Sequence, residues 1–260
     1  MKVKIIAASL FAALSLSGCN AIMESSGSAP AASNKVFSQD YVLEELPNGL
    51  RVMVVKTDYP DVVSLQIPVS VGSRDEVEAG KTGFAHFFEH MMFKGSEKFP
   101  QAEYSKTYKN AGVDNRAYTT NDYTNYHLNF SKQHLETVLQ TQADIFQNLK
   151  YTEAQFRTEA LTVKGEYLKN NANPIRQLLG TVRKTAFDTH TYSHTTMGFF
   201  EDIEKMPDQM AYGQTFFERF YKPEYVSIII TGDVDPKQTV KMVKKYWGDW
   251  EKGSFVTDVP

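Results

Sequence analysis

Three side chains in the segment Gly83-Phe84-Ala85-His86-Phe87-Phe88-Glu89-His90 could do chemistry together. At i and i+4 on a helix, His86 and His90 project one above the other from the same face. Both imidazoles can then reach one metal ion at a bond length of about 2 Å. Glu89 lies between them angularly and to one side, so it can approach a water on that ion without being a ligand. This set suits metal-assisted hydrolysis, in which an ion acidifies a water and a carboxylate accepts its proton. Two surface histidines and a solvated glutamate would show the same spacing. The neighbours argue against that plainer reading: Phe84, Phe87, Phe88, Met91, Met92 and Phe93 leave little polar face for solvent. Burying His, Glu and His together costs desolvation that a cation would offset.

Two histidines and a water leave a tetrahedral site one ligand short. Further along, Phe156, Ala160, Val163 and Tyr167 mark the buried face of a second helix, with Glu159 and Glu166 two turns apart on its edge. Spacing alone does not choose between them, and solubilising glutamates would look alike. Gly165 is costly in mid-helix, and a close approach to the metal helix would account for it.

The elements that must position these groups follow from patterning. Tyr41 to Val55 alternates around Asn48-Gly49, predicting a hairpin. Val62 to Val71 reads as a strand with Leu65, Ile67 and Val69 on one face, and Phe84 to Phe93 as the metal helix. A short helix is expected over Pro100–Asn110, and a strand over Ala117–Phe130. Ser131 and Thr152 are candidate caps for helices reaching about Asn148 and Asn170, and a helical segment follows near Ile175–Phe187. Gln209–Phe220 reads as a helix, Tyr225–Thr231 as a buried strand and Pro236–Trp247 as a last helix, onto which Trp247 and Trp250 pack. The expected class is α+β, an antiparallel-rich sheet covered by helices.

Composition limits the alternatives. With 260 residues, 42% hydrophobic and 23% charged, the chain can build one large cored domain. A formal net charge of -3 and the lack of a basic stripe argue against nucleic acid as a partner. The glycines form neither a dinucleotide fingerprint nor a phosphate loop.

The first residues read as an export signal. Lys2 and Lys4 precede an apolar run, Ile5 to Leu16, that is too short to span a bilayer. Leu16-Ser17-Gly18-Cys19 is similar to a bacterial lipobox, which implies a signal peptide over residues 1–18 and lipidation of Cys19; an ordinary signal peptide is the alternative. Cys19 is the only cysteine, which fits an anchor and excludes disulfides and cysteine zinc sites. Residues 19–36, rich in Ser, Ala and Gly, read as a flexible tether, leaving residues 37–260 for the domain. Asn20 resembles a signal for sorting to the outer membrane of a Gram-negative bacterium, with the domain on the periplasmic side.

The segment from Gly83 to Ser96 resembles the inverted zinc motif of the insulin-degrading enzyme, pitrilysin and mitochondrial processing peptidase family. The resemblance extends over about residues 40–255, through Glu159-Ala-Leu-Thr-Val-Lys-Gly-Glu166, Tyr221-Lys-Pro223 and Gly232-Asp233-Val234. It implies the first domain of the pitrilysin-like fold and one zinc ion per chain. His86, His90 and Glu166 would be ligands, Glu89 the general base and Glu159 the supporting glutamate. Arg116, Ala117, Tyr118 and Thr119 would border the substrate cleft, with Arg116 where the family usually has Asn. Family members also pair this domain with a homologous second domain, in the same chain or in a partner subunit, and one or the other is expected here.

The remaining histidines carry less. His127 and His134 read as structural or surface groups, and His190 and His194, although again at i and i+4, fall in a loop-like stretch. The leading expectation is a zinc endopeptidase acting on unfolded peptides or short polypeptides. Against it stand a non-catalytic homologue that keeps the metal and binds peptides, and a zinc hydrolase for another substrate class.

Overall fold

The structure, a computed structural model, describes residues 39–260. The expected signal peptide and the whole tether, Cys19 included, lie outside the described residues.

The hairpin pattern forms as read, with β1 (Tyr41–Glu45) antiparallel to β2 (Arg51–Lys56). Next come β3 (Val62–Val69), α1 (Phe84–Met91), continued by a 3-10 turn over Met92–Lys94, and α2 (Gln101–Asn110). The stretch expected as one strand is two, β4 (Asp114–Thr119) and β5 (Thr124–Ser131), antiparallel to each other. The hydroxyl oxygen of Thr120 accepts from the amides of Asp122 and Tyr123 and folds the chain back between them. Polar turn residues inside a β-rich run hid that reversal.

Four helices follow: α3 (Leu135–Asn148), α4 (Glu153–Asn171), α5 (Pro174–Ala186) and the short α6 (Phe200–Lys205), which the pattern did not reveal. Thr152 caps α4 in a reciprocal box with Gln155. Ser131 makes no such bond, because a 3-10 turn over Lys132–His134 intervenes before α3. The chain closes with α7 (Met210–Phe220), β6 (Ser227–Gly232) and α8 (Pro236–Trp247).

The six strands make one sheet in the order β1-β2-β6-β3-β5-β4. The β2–β6 pairing is parallel and the others are antiparallel. Inward residues alternate as the period of two requires, with Val63, Leu65, Ile67 and Val69 of β3 fully buried. Helices α1, α3 and α8 cover this inner face, where Phe146 meets both Trp247 and Trp250 as well as Tyr126. The fold is α+β, a non-barrel sheet covered by helices. Strand β4 ends the sheet and pairs only with β5, so its outer edge is a row of unpaired backbone groups.

Candidate metal centre

The metal helix is fixed by its apolar residues. Phe84, Ala85, Phe87, Phe88 and Met91 are fully buried. Phe87 meets Phe156 of α4 edge-on at 4.7 Å, and Phe88 stacks on Phe216 of α7 at 5.4 Å. The helix cannot cap itself, because Gly83 is its N-cap and the first turn holds no acid. Glu76 does so from a distance: its two carboxylate oxygens accept from the amides of Gly83 and Ala85, both at 2.7 Å. Burial nevertheless pushes the Glu76 carboxyl up to about 8. Gly83 itself has φ +91°, and a Cβ there would lie 2.3 Å from Ile203 Cδ1.

This scaffold presents His86 and His90 to Glu166 on α4. Nε2 of each histidine lies 3.6 Å from the same oxygen, Glu166 Oε2. One ligand atom from each of the three falls within 4.8 Å of the others, and no other such group occurs among the described residues. At 3.6 Å the histidines are not hydrogen-bonded to the carboxylate. Burial, reinforced by His90, lowers His86 to about 4, so its ring is neutral at pH 7. Glu159 Oε1 lies 2.8 Å from His90 Nδ1, and a carboxylate acceptor there places the proton on Nδ1 and leaves the Nε2 lone pair facing Glu166. With both rings neutral, lone pairs of two imidazoles and a carboxylate converge on one point and repel unless a cation lies between them, a demand that a proton on His90 meets in part when no metal is bound. The donor set of two nitrogens and one carboxylate oxygen fits zinc.

The surrounding charges are organised about this point. Burial alone would lower His90, but its bond to Glu159 and the charges of Glu159, Glu89 and Glu166 outweigh that and raise it. The bond from His90, helped by Lys94 and against burial, brings Glu159 down to about 2. Burial raises Glu89, against a hydrogen bond from Thr119. That bond runs from Thr119 Oγ1 to Glu89 Oε2 at 2.6 Å, and the Thr119 backbone adds a smaller hold on the same carboxylate.

The four positions expected at the cleft divide between two faces of β4. Asn115, Ala117 and Thr119 are the half-buried alternation, and Thr119 shows that this face looks towards α1. Arg116 and Tyr118 project from the opposite face, where Arg116 pairs with Asp114 and Tyr118 lies beside Tyr123. His190 and His194 do not converge on a metal: His190 Nδ1 accepts from Tyr192 N, and His194 Nδ1 bonds to the Thr195 carbonyl. Lys94 on Glu159 and the hydroxyl of Thr119 on Glu89 carried no signal in spacing, because each acts between elements separated in sequence, and Glu76 carried none because an irregular turn, with no helical or strand period, brings it to the start of α1.

Flanking the centre is an uncovered apolar surface. No residue of α5 is buried, and Ile175, Leu178, Leu179 and Val182 expose one apolar stripe at i, i+3, i+4 and i+7. Leu161 and Leu168 of α4 are likewise exposed. Helix α5 leaves the C-terminal end of α4, and its Arg183 reaches Asn121 in the β4–β5 turn.

A helix-covered sheet holding a His/His/Glu cluster, with a further glutamate beside it, defines a metal-binding domain of the zinc peptidase kind. Comparison with known proteins agrees. The family model described as Insulinase (Peptidase family M16) matches residues 51–198, and one described as Peptidase M16 inactive domain matches residues 214–260. The Helicobacter pylori protein "Zinc protease PqqE" is 29% identical over 204 residues, covering 78% of this chain and 45% of that protein. Human insulin-degrading enzyme is 26% identical over 213 residues, covering 80% of this chain and 21% of that protein. The crystal structure of a protease from Helicobacter pylori superposes with a TM-score of 0.81 at 27% identity, over 86% of this chain and 54% of that one. The first half of the periplasmic protease PqqL from Escherichia coli shares the fold, with a TM-score of 0.73 at 23% identity, over 86% of this chain and 50% of that one. The chain therefore belongs to the M16 peptidase family, as a zinc peptidase catalytic domain with a His/His/Glu metal-binding cluster. It spans less than half the length of the two proteins named. The interval between the two family matches is no boundary in the fold, since β6 lies between β2 and β3 in the sheet.

Proposed function

We propose that this domain is the catalytic half of a zinc endopeptidase that cleaves unfolded peptides or short polypeptides. The observation that carries the reading is the convergence of His86, His90 and Glu166 with Glu89 beside them. When bound, zinc acidifies a water and polarises the scissile carbonyl. Glu89, oriented by Thr119, takes the proton and passes it to the leaving amine. Glu159 holds His90 in the tautomer that ligates. An extended substrate adds to the open edge of β4, in the manner of β-augmentation. The uncovered stripe of α5 offers apolar contact to an unfolded chain.

Completion of the site calls for a second, homologous domain or a partner subunit facing the centre. The greater length of the relatives and the match to an M16 inactive domain support this. Export and attachment through a lipidated Cys19 complete the proposal, and the periplasmic setting of the PqqL protease is in keeping with export.

Glu89→Gln tests the centre of the reading. In an assembly with both halves present, the variant keeps its zinc and loses at least about 10²-fold in hydrolysis of an unstructured peptide. Full activity in that variant would remove Glu89 as the base. A wild-type assembly that holds zinc and binds peptides without cleaving them would favour the peptide-binding alternative.

A further inference from the structure

We propose that Lys94 is a positioning residue of the metal centre, clamping Glu159 so that His90 and Glu166 are held in register. The inference rests on the metal-site reading given above. Lys94 ends the 3-10 turn that continues α1, at i+4 from His90. Its ammonium lies 2.5 Å from Glu159 Oε2, and Glu159 Oε1 lies 2.8 Å from His90 Nδ1. Both oxygens of one carboxylate are therefore held by side chains one helical turn apart.

The placement is unusual for a lysine. Its side chain is 16% exposed and that of Glu159 12%, whereas the pair that Lys164 of α4 makes with Glu204 of α6 has 28% and 55%. Lysine is seldom withdrawn from water unless paired, and a withdrawn pair is costly to break from one side. The pair also joins the two ligand-bearing helices. His86, His90 and Lys94 belong to α1 and its extension, and Glu159 and Glu166 to α4, two turns apart on one face. A carboxylate gripped at both oxygens cannot rotate about its terminal bond. It therefore fixes the His90 ring and the separation between that ring and Glu166. Gripped only by His90, it would be free to turn, and its charge would be left unpaired at a site with little solvent.

Orientation and simple charge predict opposite signs. Removing a cation near a dication, with geometry unchanged, tightens metal binding; removing the clamp loosens it. The experiment is a zinc competition titration on the full chain, with the visible spectrum of the cobalt(II)-substituted protein as a second readout. Lys94→Met weakens zinc by about 10-fold and alters the cobalt bands. Lys94→Arg, which keeps charge and donors, retains most of the affinity. The variant with both Lys94→Met and Glu159→Gln binds no more weakly than Glu159→Gln alone, because Lys94 acts through that carboxylate. Should Lys94→Met fail to fold, Lys94→Gln keeps a donor without the charge, and its affinity falls between wild type and Glu159→Gln. Unchanged or tighter zinc binding in Lys94→Met or Lys94→Gln would overturn the proposal, as would losses that multiply in the double variant. Unchanged affinity in Glu166→Gln would instead bring down the ligand assignment, and this inference with it.

Discussion

Helices α1 and α5 both contact the ligand helix α4, and they treat their apolar residues in opposite ways. In α1 five of eight residues are fully buried apolar side chains, and His86 among them is 8% exposed. In α5 nothing is buried, and four aliphatic side chains stand more than half exposed. A helix that must hold ligands to a fraction of an ångström is locked by packing, since a close-packed core permits few alternative positions. A helix that meets a substrate or a second domain keeps its apolar face for that purpose. Of these two helices, one is a wall finished by this chain's own packing and the other a wall with an open apolar stripe.

The largest effect should come from the metal, where the two walls meet through α4. Glu166→Gln removes one of three protein ligands. If zinc binding is worth about 10–16 kcal/mol, the loss of a third is roughly 4–5 kcal/mol, or about 10³–10⁴-fold in affinity. A zinc titration of the variant beside wild type measures it, and an unchanged affinity would strike Glu166 from the ligand set. Acid should act on the same centre. His90 is raised above 6.5 in the metal-free chain, so the metal must displace its proton below that raised value. Affinity should fall about tenfold per pH unit once pH drops below that raised value, and twice as steeply below about 4, where His86 also protonates. For the metal-free fold the signs differ. The raised His90 contributes stability that is present below 6.5 and lost as pH rises through its folded value. Glu159, at about 2, contributes stability that is present above 4.5 and lost as pH falls towards 2. Zinc affinity that is flat from about pH 5 to 8 would contradict a protonated His90.

Stability should separate the two helices next. Phe88→Ala empties a site between Phe216, Phe217 and Tyr221 and should cost about 3–5 kcal/mol. Leu178→Ser, on the open stripe of α5, should stay within about 0.5 kcal/mol. In a complete assembly it should raise KM for an apolar peptide and leave zinc binding alone. Chemical denaturation of both variants checks the first pair of expectations. A large destabilisation by Leu178→Ser would mean that α5 already packs against something and is not an open wall.

Much of this was legible in the sequence because local rules dominated there. The Asn48-Gly49 hairpin, the alternation along β3, the cap at Thr152 and the span of α8 followed from turn chemistry and period. The two candidate histidine ligands were legible for the same reason, since both lie on one helix, whereas spacing left Glu159 and Glu166 open and only the family resemblance chose Glu166. The order of the sheet was not, because the parallel pairing of β2 with β6 joins residues at opposite ends of the domain. Nor were Lys94 on Glu159 or the bond from Thr119 to Glu89, which form only after α1 has packed against α4 and the sheet, nor Glu76, which reaches the start of α1 through an irregular turn. The division of β4 into two faces placed Thr119 at the centre and Arg116 away from it, a distinction that consecutive positions in a motif conceal.

Gly165 provides the smallest test, and it corrects an expectation. A glycine in mid-helix next to Glu166 suggested that α1 approaches too closely for a side chain. The contact between the helices lies elsewhere, at Phe87 against Phe156, and a Cβ built at Gly165 meets nothing within 4 Å. Its φ is not in the left-handed region, so alanine would adopt the same backbone. Gly165→Ala should therefore stabilise the domain by about 0.5–1 kcal/mol through helix propensity and a more restricted unfolded chain. That is a rise of about 1–4 °C in Tm for a domain of this size. Zinc affinity should not change, since Glu166 keeps its place on α4. If alanine instead weakens zinc, then α1 and α4 come closer when the metal is bound than they stand here. In that case Gly165 belongs to the finished wall and not to the open one.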